Sequence, residues 1–323
     1  MAPKPTVFID GQSGTIGLRI RELLGGRPDI ELLEIDEARR KHPRARAELL
    51  NRAAVSILCL PDEAAREAVA LVENPDTRIL DGSTAHRVAP GWVYGLPELA
   101  PGQRQAIAAA KRVSNPGCWP TCVALLVRPL IDAGLLHADA PLAVHGVSGY
   151  TGGGKAMIER WEDPRNDLSS LPYPAPYALH KRHKHIPEMM AHGGLLREPQ
   201  FTPAVGAFRC GMRVAIPLHA ALLPAHASGA AIYEALQTRY AGEAFVDVQL
   251  CSEAIDAGER ALDPTAFTNS NQVALRVVPH PSGHVLLVAL LDNLGKGASG
   301  AAVQSLNLML GLPEAEGLAR RPA

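Results

Sequence analysis

Residues 5–17, PTVFIDGQSGTIG, decide the fold class of this chain. An apolar run at 5–10 predicts a buried strand, a glycine-rich turn follows it, and a helical pattern occupies 15–24. Glycines let a backbone approach a pyrophosphate closely, and free amides at a helix N-terminus bind anions. The spacing GxxGxxG also suits a tight connection without a ligand, but its place in a first βαβ unit favours a dinucleotide site. The predicted cofactor contacts in this turn are Gly11, Ser13, Gly14, Thr15, Ile16 and Gly17.

Strand and helix patterns keep alternating after this turn. Strands are predicted at 30–35, 55–60 and 78–80, with a helix at 62–72. Alternation at such short intervals indicates βαβ units and a Rossmann-like parallel sheet, so the first domain is α/β.

The pattern changes after about residue 120. Strands outnumber helices there, which predicts an α+β second domain with a mixed or antiparallel sheet. The predicted strands are 203–219, 244–251, 271–280 and 284–292, with helices at 228–240 and 299–310.

Composition excludes several classes of function. The net charge of the 323 residues is −1, which argues against a nucleic-acid surface. The sequence has no apolar run long enough for a transmembrane helix and begins without an export signal, so we expect a cytoplasmic protein that does not enter membranes. Five scattered cysteines suggest neither a disulfide framework nor a metal site.

Charged residues follow the second predicted strand, where many enzymes bind the ribose of the cofactor. Asp36 and Glu37 come first, and a basic cluster of Arg39, Arg40, Lys41 and Arg44 follows. Cations suit the 2′-phosphate of NADP, and Arg39 is the predicted contact. A solvated basic face is the alternative, and Asp36 leaves NAD open.

One cysteine has the setting of a reactive thiol. The segment SNPGCWPT at 114–121 runs into an amphipathic helical pattern that ends at Gly134, so Cys118 is predicted at a helix N-terminus. The partial positive charge there stabilises a thiolate, which is a strong nucleophile. The alternative is a small buried side chain, a description that suits Cys122 and Cys59 better.

The segment SNPGCWPT resembles the active-site segment of the N-acetyl-gamma-glutamyl-phosphate reductase family in its shorter variety. Trp119 stands where the longer variety has Tyr or Phe, and Thr151 replaces a Ser. The matching segments, in family order, are GQSGTIG at 11–17, LCLPDEAAREAV at 58–69, DGSTAHR at 81–87, YGLPEL at 94–99, SGYTGGGK at 148–155, HKHIPEM at 183–189 and DNLGKGASGAAVQSLN at 292–307.

The resemblance implies a semialdehyde dehydrogenase-like fold with two domains. An NADP-binding domain at 1–117 is completed by a C-terminal helix at about 293–323, and a catalytic and dimerisation domain spans 118–292. The implied reaction is the NADPH-dependent reduction of N-acetyl-5-glutamyl phosphate to the 5-semialdehyde with release of phosphate, through a thioester on Cys118. A homodimer or homotetramer is implied as well.

Site residues are implied by the same resemblance. His185 is the expected acid/base group, although His183 remains an alternative, and Glu188 lies one helical turn on, where it could orient the ring. Further expected cofactor contacts are Ser148, Gly149, Gly152, Asn293 and Lys296. The expected substrate and phosphate contacts are Ser83, Arg87, Asn115 and His183.

Two other interpretations remain open. Aspartate-semialdehyde dehydrogenase and aminoadipyl-phosphate reductase share the thiol, the histidine and the nucleotide turn, so chemistry alone does not separate them. A non-catalytic, NADP-binding regulatory protein is the alternative from another class, and it predicts no dependence on Cys118.

Overall fold

The structure is a computed structural model that describes residues 3–251 and 260–320. The described residues form two compact units, one of 3–116 and 298–318, the other of 117–251, 260–297 and 319–320. The predicted fold class is confirmed, because a parallel sheet forms in the first unit and a mixed sheet in the second. The predicted domain 1–117 and its extension to 323 include residues 1–2 and 321–323, which lie outside the described residues.

The described residues contain thirteen strands and nine α-helices. The strands are β1 (Thr6–Asp10), β2 (Glu31–Leu33), β3 (Val55–Leu58), β4 (Arg78–Asp81), β5 (Val93–Tyr94), β6 (Arg112–Ser114), β7 (Ala143–Gly149), β8 (Ala175–Pro176), β9 (Gln200–Gly206), β10 (Met212–Leu218), β11 (Val246–Leu250), β12 (Val273–Pro279) and β13 (Val285–Leu291). The helices are α1 (Thr15–Leu24), α2 (Pro43–Arg52), α3 (Asp62–Ala70), α4 (Gln103–Ala109), α5 (Cys118–Asp132), α6 (Gly154–Glu162), α7 (Ile186–Gly193), α8 (Gly229–Arg239) and α9 (Gly300–Leu310).

The sheet of the first unit is parallel throughout, in the order β2-β1-β3-β4-β6-β5. Successive side chains of β1 point to opposite faces. Val7 and Ile9 lie in a buried cluster with residues of α1, α4 and α9, whereas Phe8 lies in a cluster with residues of α2 and α3. Helices therefore cover both faces of the sheet, as in a doubly wound fold.

A partly buried arginine links α9 to the parallel sheet. Arg78 begins β4 and donates to the carbonyls of Ile107, Ala108 and Ala110 at the end of α4, and to that of Met309 in the last turn of α9. Burial lowers the pKa of its guanidinium. One cation thus satisfies carbonyls that two helix C-termini would otherwise leave without intrahelical donors.

The second unit is built on a seven-stranded sheet in the order β11-β12-β13-β10-β7-β9-β8. The pairs β7–β9 and β11–β12 are parallel, and the other pairs are antiparallel. Helix α5 packs on β10, β13 and the helices α7 and α8. Almost every residue from 119 to 130 is buried, so α5 is a core helix rather than an amphipathic one.

The observed elements differ from the sequence-based expectations in two ways. The stretch 203–219 divides into β9 and β10 around a loop at 207–211. The sequence analysis also did not predict α2, α4, α6, α7, β5, β6, β7 and β8. Strand β7 contains Gly146 and Gly149, which hide its pattern, and α2 begins at Pro43 within the basic cluster. No helix in the described part of the chain is both long and apolar enough to cross a membrane.

Candidate active site

The predicted nucleophile is the first residue of α5. Gly117 precedes it with an extended backbone (φ −82°, ψ 153°) and provides no side-chain cap for the helix. The backbone N–H and the hydroxyl of Thr121 both donate hydrogen bonds to the Gly117 carbonyl, at 2.9 Å each. The helix therefore begins at Cys118 with a well-defined first turn, and its positive end lies at the thiol.

Glu188 ties the histidine segment to this helix end. Its Oε1 accepts a hydrogen bond of 2.7 Å from the backbone N–H of Gly117, although the two residues lie far apart in sequence. Glu188 is buried in the first turn of α7, three residues after His185. The contact brings the turn that carries the predicted acid/base group to the residue before Cys118.

The two candidate histidines contact each other through backbone and ring. His183 Nδ1 accepts a hydrogen bond of 3.1 Å from the backbone N–H of His185, and the ring centroids are 4.9 Å apart. Burial, aided by the Lys184 ammonium, lowers the pKa of His183 to about 4. His183 is therefore a neutral imidazole near pH 7 with its remaining proton on Nε2, which suits a hydrogen-bond donor better than a proton carrier.

Aromatic side chains that the sequence did not reveal line the same region. Phe201 contacts both Trp119 and His183 edge to face, at 5.1 Å between ring centroids in each case. The ring centroids of Tyr177 and His183 are 5.8 Å apart, and burial raises the pKa of the Tyr177 phenol. Tyr177 could have been noticed as the aromatic residue shortly before the histidines, whereas Phe201 on β9 gave no local signal.

The low pKa of His183 predicts a measurable effect of pH on stability. Between pH 6.5 and pH 4 an unfolded chain binds a proton at this residue and the folded chain does not, so the free energy of unfolding falls as the pH drops through that window. Allowing for solvent screening of a partly exposed group, we expect a loss of about 1 to 2 kcal/mol. In urea titrations, His183→Gln should reduce the loss of stability from pH 7 to pH 4.5, whereas His226→Gln, at an exposed histidine, should not. An equal effect of both variants would contradict the assignment.

The glycine turn of the first unit has the close packing that its sequence predicts. Gly11 adopts a positive φ of 92°, and a Cβ on Gly17 would lie 2.3 Å from the Gly11 carbonyl oxygen. Helix α1 begins after Gly14 with no side-chain cap and no acidic residue in its first turn. Ser13, Thr15 and Ile16 belong to the same turn and first helical residues. Gly14 thus has no side chain with which to cap the first amides of α1, and uncapped amides of this kind can bind an anion.

Arg40, rather than the predicted Arg39, reaches the glycine turn. Arg40 Nη1 donates to the hydroxyl of Ser13 at 2.8 Å, and its Nε pairs with Glu37 at 2.8 Å. Arg39 is exposed, and its backbone N–H donates to the Asp36 carbonyl at 2.9 Å. The basic cluster was visible in the sequence, but which member reaches the turn depends on the conformation of residues 36–42.

The predicted phosphate contacts that lie in the first unit form hydrogen bonds with other residues of that unit. The Ser83 hydroxyl donates to the buried Asp81 carboxylate at 2.6 Å, and Arg87 Nη2 donates to the Gly82 carbonyl at 3.0 Å. Asn115 donates through Nδ2 to the Ala298 carbonyl at 3.0 Å. No donor among the described residues reaches its buried Oδ1. That atom is an acceptor, so it suits an N–H group of a ligand better than a phosphate oxygen.

In the second unit, the predicted contacts of the glycine loop cluster around one asparagine. Asn293 accepts from the Gly211 N–H at 2.8 Å and donates to the Thr151 hydroxyl at 2.9 Å. Gly152 lies close to the side chains of Ser148 and Asn293, because a Cβ added at Gly152 would be 3.3 Å from Ser148 Oγ and 3.5 Å from Asn293 Nδ2. Gly149 also permits a close approach, because its Cβ would meet the Arg209 carbonyl oxygen at 2.5 Å. Asn293 therefore holds this loop against the start of β10.

Lys296 lies in the interior of its unit. Its side chain is fully buried, with the ammonium 5.7 Å from the Phe245 ring centroid, and Arg320 contacts the same ring. Across residues 3–251 and 260–320, no cluster of three or more His, Cys, Asp or Glu side chains is arranged to hold a metal ion.

Comparisons with known proteins match both the sequence and the fold. The family model of the semialdehyde dehydrogenase dimerisation domain matches residues 118–293. Similar proteins include N-acetyl-gamma-glutamyl-phosphate reductase 2 of Pseudomonas putida, which is 50% identical over 97% of this chain and 99% of its own length. The reductase of Burkholderia cenocepacia is 49% identical, with coverage of 96% and 99%, and that of Trichormus variabilis is 50% identical, with coverage of 98% and 99%.

Solved structures show the fold alone, because their sequence identity is low. Aspartate semialdehyde dehydrogenase II of Vibrio cholerae, complexed with ASA, has a TM-score of 0.70 at 15% identity and covers 96% of this chain and 99% of its own. The aspartate semialdehyde dehydrogenase of Francisella tularensis has a TM-score of 0.70 at 12% identity, with coverage of 94% and 99%.

Proposed function

The chain belongs to the N-acetyl-gamma-glutamyl-phosphate reductase family of oxidoreductases, and from that premise we propose that it reduces N-acetyl-5-glutamyl phosphate to the 5-semialdehyde with NADPH, through a thioester on Cys118. The observation that carries the proposal is the bond between Glu188 and the Gly117 N–H, because it joins the histidine turn to the helix end that bears the thiol. Family membership sets aside the hypothesis of a non-catalytic regulatory protein.

The first chemical step uses the thiol. The Cys118 thiolate attacks the acyl carbon and forms a C–S bond, while the C–O bond to phosphate breaks and phosphate leaves with the electron pair. The positive end of α5 stabilises the thiolate before the attack. Ser83, Arg87, Asn115 and His183 remain the proposed contacts of the substrate and its phosphate.

His185 moves the proton in the second step. When bound, the nicotinamide cofactor supplies a hydride to the thioester carbon. His185 protonates the oxygen at that carbon and removes the proton again as the C–S bond breaks, which frees the aldehyde and restores the thiolate. Glu188 positions the turn that carries this histidine through its bond to Gly117.

The residues of the glycine turn fit a dinucleotide. Gly11, Gly14 and Gly17 would admit the pyrophosphate to the amides of α1, together with Ser13, Thr15 and Ile16. Arg39, Ser148, Gly149, Gly152, Asn293 and Lys296 remain proposed contacts. The match to a dimerisation domain supports a homodimer or homotetramer, and we propose a cytoplasmic location for a biosynthetic enzyme of this kind.

Arg40 is the residue that we expect to select NADP. Its guanidinium lies at the Ser13 hydroxyl, so it is available to a 2′-phosphate near the glycine turn. Arg40→Ala should lower kcat/KM with NADPH at least about tenfold and leave kcat/KM with NADH within about twofold. Arg39→Ala is the matched variant, and steady-state assays with both cofactors compare the two. A larger loss in Arg39→Ala would return the role to Arg39.

The substrate is tested in the reverse direction. The purified enzyme is supplied with phosphate, NADP or NAD, and either N-acetylglutamate 5-semialdehyde or aspartate 4-semialdehyde. We expect phosphate-dependent formation of NADPH with the acetylated semialdehyde and at least about a hundredfold lower kcat/KM with the aspartate compound. No turnover with the acetylated semialdehyde, or a preference for the aspartate compound, would overturn the proposed substrate.

A further inference from the structure

The chain segment after β13 forms a π-helical turn, Gly295–Ser299, that is organised by one buried carboxylate. Asp292 accepts hydrogen bonds from the backbone N–H groups of Asn269 at 2.7 Å and Leu294 at 2.9 Å. Its own carbonyl accepts from the Gly297 N–H at 3.0 Å, which is the i→i+5 bond of a π turn. Asp292 is only 2% exposed, so the carboxylate acts on this turn and not on solvent.

Two glycines of the turn pass very close to neighbouring groups. A Cβ on Gly295 would lie 2.2 Å from the carbonyl oxygen of Ser270. A Cβ on Gly297 would lie 2.7 Å from the Cβ of Cys118 and 3.2 Å from Leu291 Cδ1. The Cβ of Cys118 is bonded directly to the backbone of a helix, so it cannot move aside as the end of a flexible side chain would. Only a residue without a side chain fits at 297.

We propose that Gly297 is a positioning residue for the Cys118 thiol. Its bare α-carbon forms a wall against the Cβ of Cys118, and this wall restricts the rotamers open to the sulfur at the positive end of α5. Asp292 thus stabilises the π turn, and the π turn holds Gly297 against Cys118. The inference rests on the proposed function, in which Cys118 attacks the substrate.

We expect a side chain at position 297 to change the geometry of attack by Cys118 rather than the affinity for substrate. A displacement of about 1 Å at a reacting group lowers a rate about a hundredfold, because it disturbs the attack trajectory and not the binding contacts. A methyl group at 297 would force a shift of several tenths of an ångström between the turn and the first residue of α5. The consequence should therefore appear in kcat and in the reactivity of the free thiol.

Gly297→Ala tests the proposal, with Gly193→Ala as the matched control. Gly193 is also buried against α5, but an added Cβ there would meet Val123 Cγ1 and Leu195 at an ordinary 3.7 Å. We expect Gly297→Ala to lower kcat at least about tenfold with KM within about threefold. We also expect it to displace the pH profile of Cys118 alkylation by iodoacetamide, followed by peptide mass spectrometry, to higher pH. Gly193→Ala should match the parent protein in both measurements.

A second variant keeps the test decisive if Gly297→Ala folds poorly. In the background Cys118→Gly the crowded Cβ is absent, so the loss of Tm caused by Gly297→Ala should be at least halved. An equal loss of Tm in both backgrounds, or an unchanged kcat and alkylation profile in Gly297→Ala, would overturn the proposal. Neither alkylation nor Tm requires turnover, so these results stand apart from Cys118→Ser, whose retained activity would instead reject the proposed function.

Discussion

Cys118→Ser is expected to lower kcat at least about a thousandfold, because a serine hydroxyl is barely ionised at neutral pH and is a far weaker nucleophile than a thiolate. The substitution changes one atom at the first position of α5 and leaves the bonds of Thr121 and Glu188 to Gly117 in place. The loss should thus arise from chemistry and not from folding. Steady-state phosphate-dependent oxidation of the semialdehyde measures it.

Cys122→Ala is the control for this experiment. Cys122 lies one turn later in the same helix and is fully buried, and burial raises the pKa of its thiol well above the ordinary value. Its loss should change kcat by less than about threefold. Comparable turnover of Cys118→Ser and the parent protein would reject the thioester route, whatever the substrate.

His185→Gln is expected to lower kcat by about a hundredfold to ten-thousandfold, the usual contribution of a positioned proton carrier. Glutamine retains a polar side chain at the start of α7 but cannot exchange a proton. His183→Gln is the comparison, because His183 is neutral near pH 7 and its Nδ1 is engaged by the His185 N–H. We expect it to lower kcat less than about tenfold.

The pH profile separates the two histidines further. If His185 carries the proton, the limb of the kcat profile near neutral pH disappears in His185→Gln and persists in His183→Gln. The opposite pattern would assign the role to His183. Alkylation of Cys118 should continue in both variants, which distinguishes a lost proton carrier from a displaced thiol.

Sequence patterns predicted correctly those elements whose structure depends only on residues close together in the chain. The predicted helix at 15–24 has the observed bounds of α1, and Cys118 begins α5 as its Pro-Gly turn indicated. Strand β7 was missed because its place depends on pairing with β9 and β10, which are distant in sequence. Helix α2 was missed because its apolar residues, Ala45, Leu49 and Leu50, are hidden among charges.

The same distinction applies to the site. The thiol was predicted from its own segment, because Cys118 stands where a helix begins within a few residues. The roles of the histidines were predicted only through the family resemblance. The bonds between Glu188 and Gly117 and between Arg40 and Ser13, and the contact of Gly297 with Cys118, join residues that no short window contains. Their geometry follows from the packing of helices and turns, so only the folded chain reveals it.

The discontinuous make-up of the first unit has a consequence for folding during synthesis. Its apolar core includes Ala302, Val303, Leu306 and Met309 of α9, whereas its sheet ends at β6. A ribosome releases the segment 117–297 between these two parts, and that segment can form its own sheet while the first core still lacks a helix. The nascent parallel sheet therefore has one face incompletely covered until α9 has emerged, and during that interval its apolar residues are exposed to aggregation.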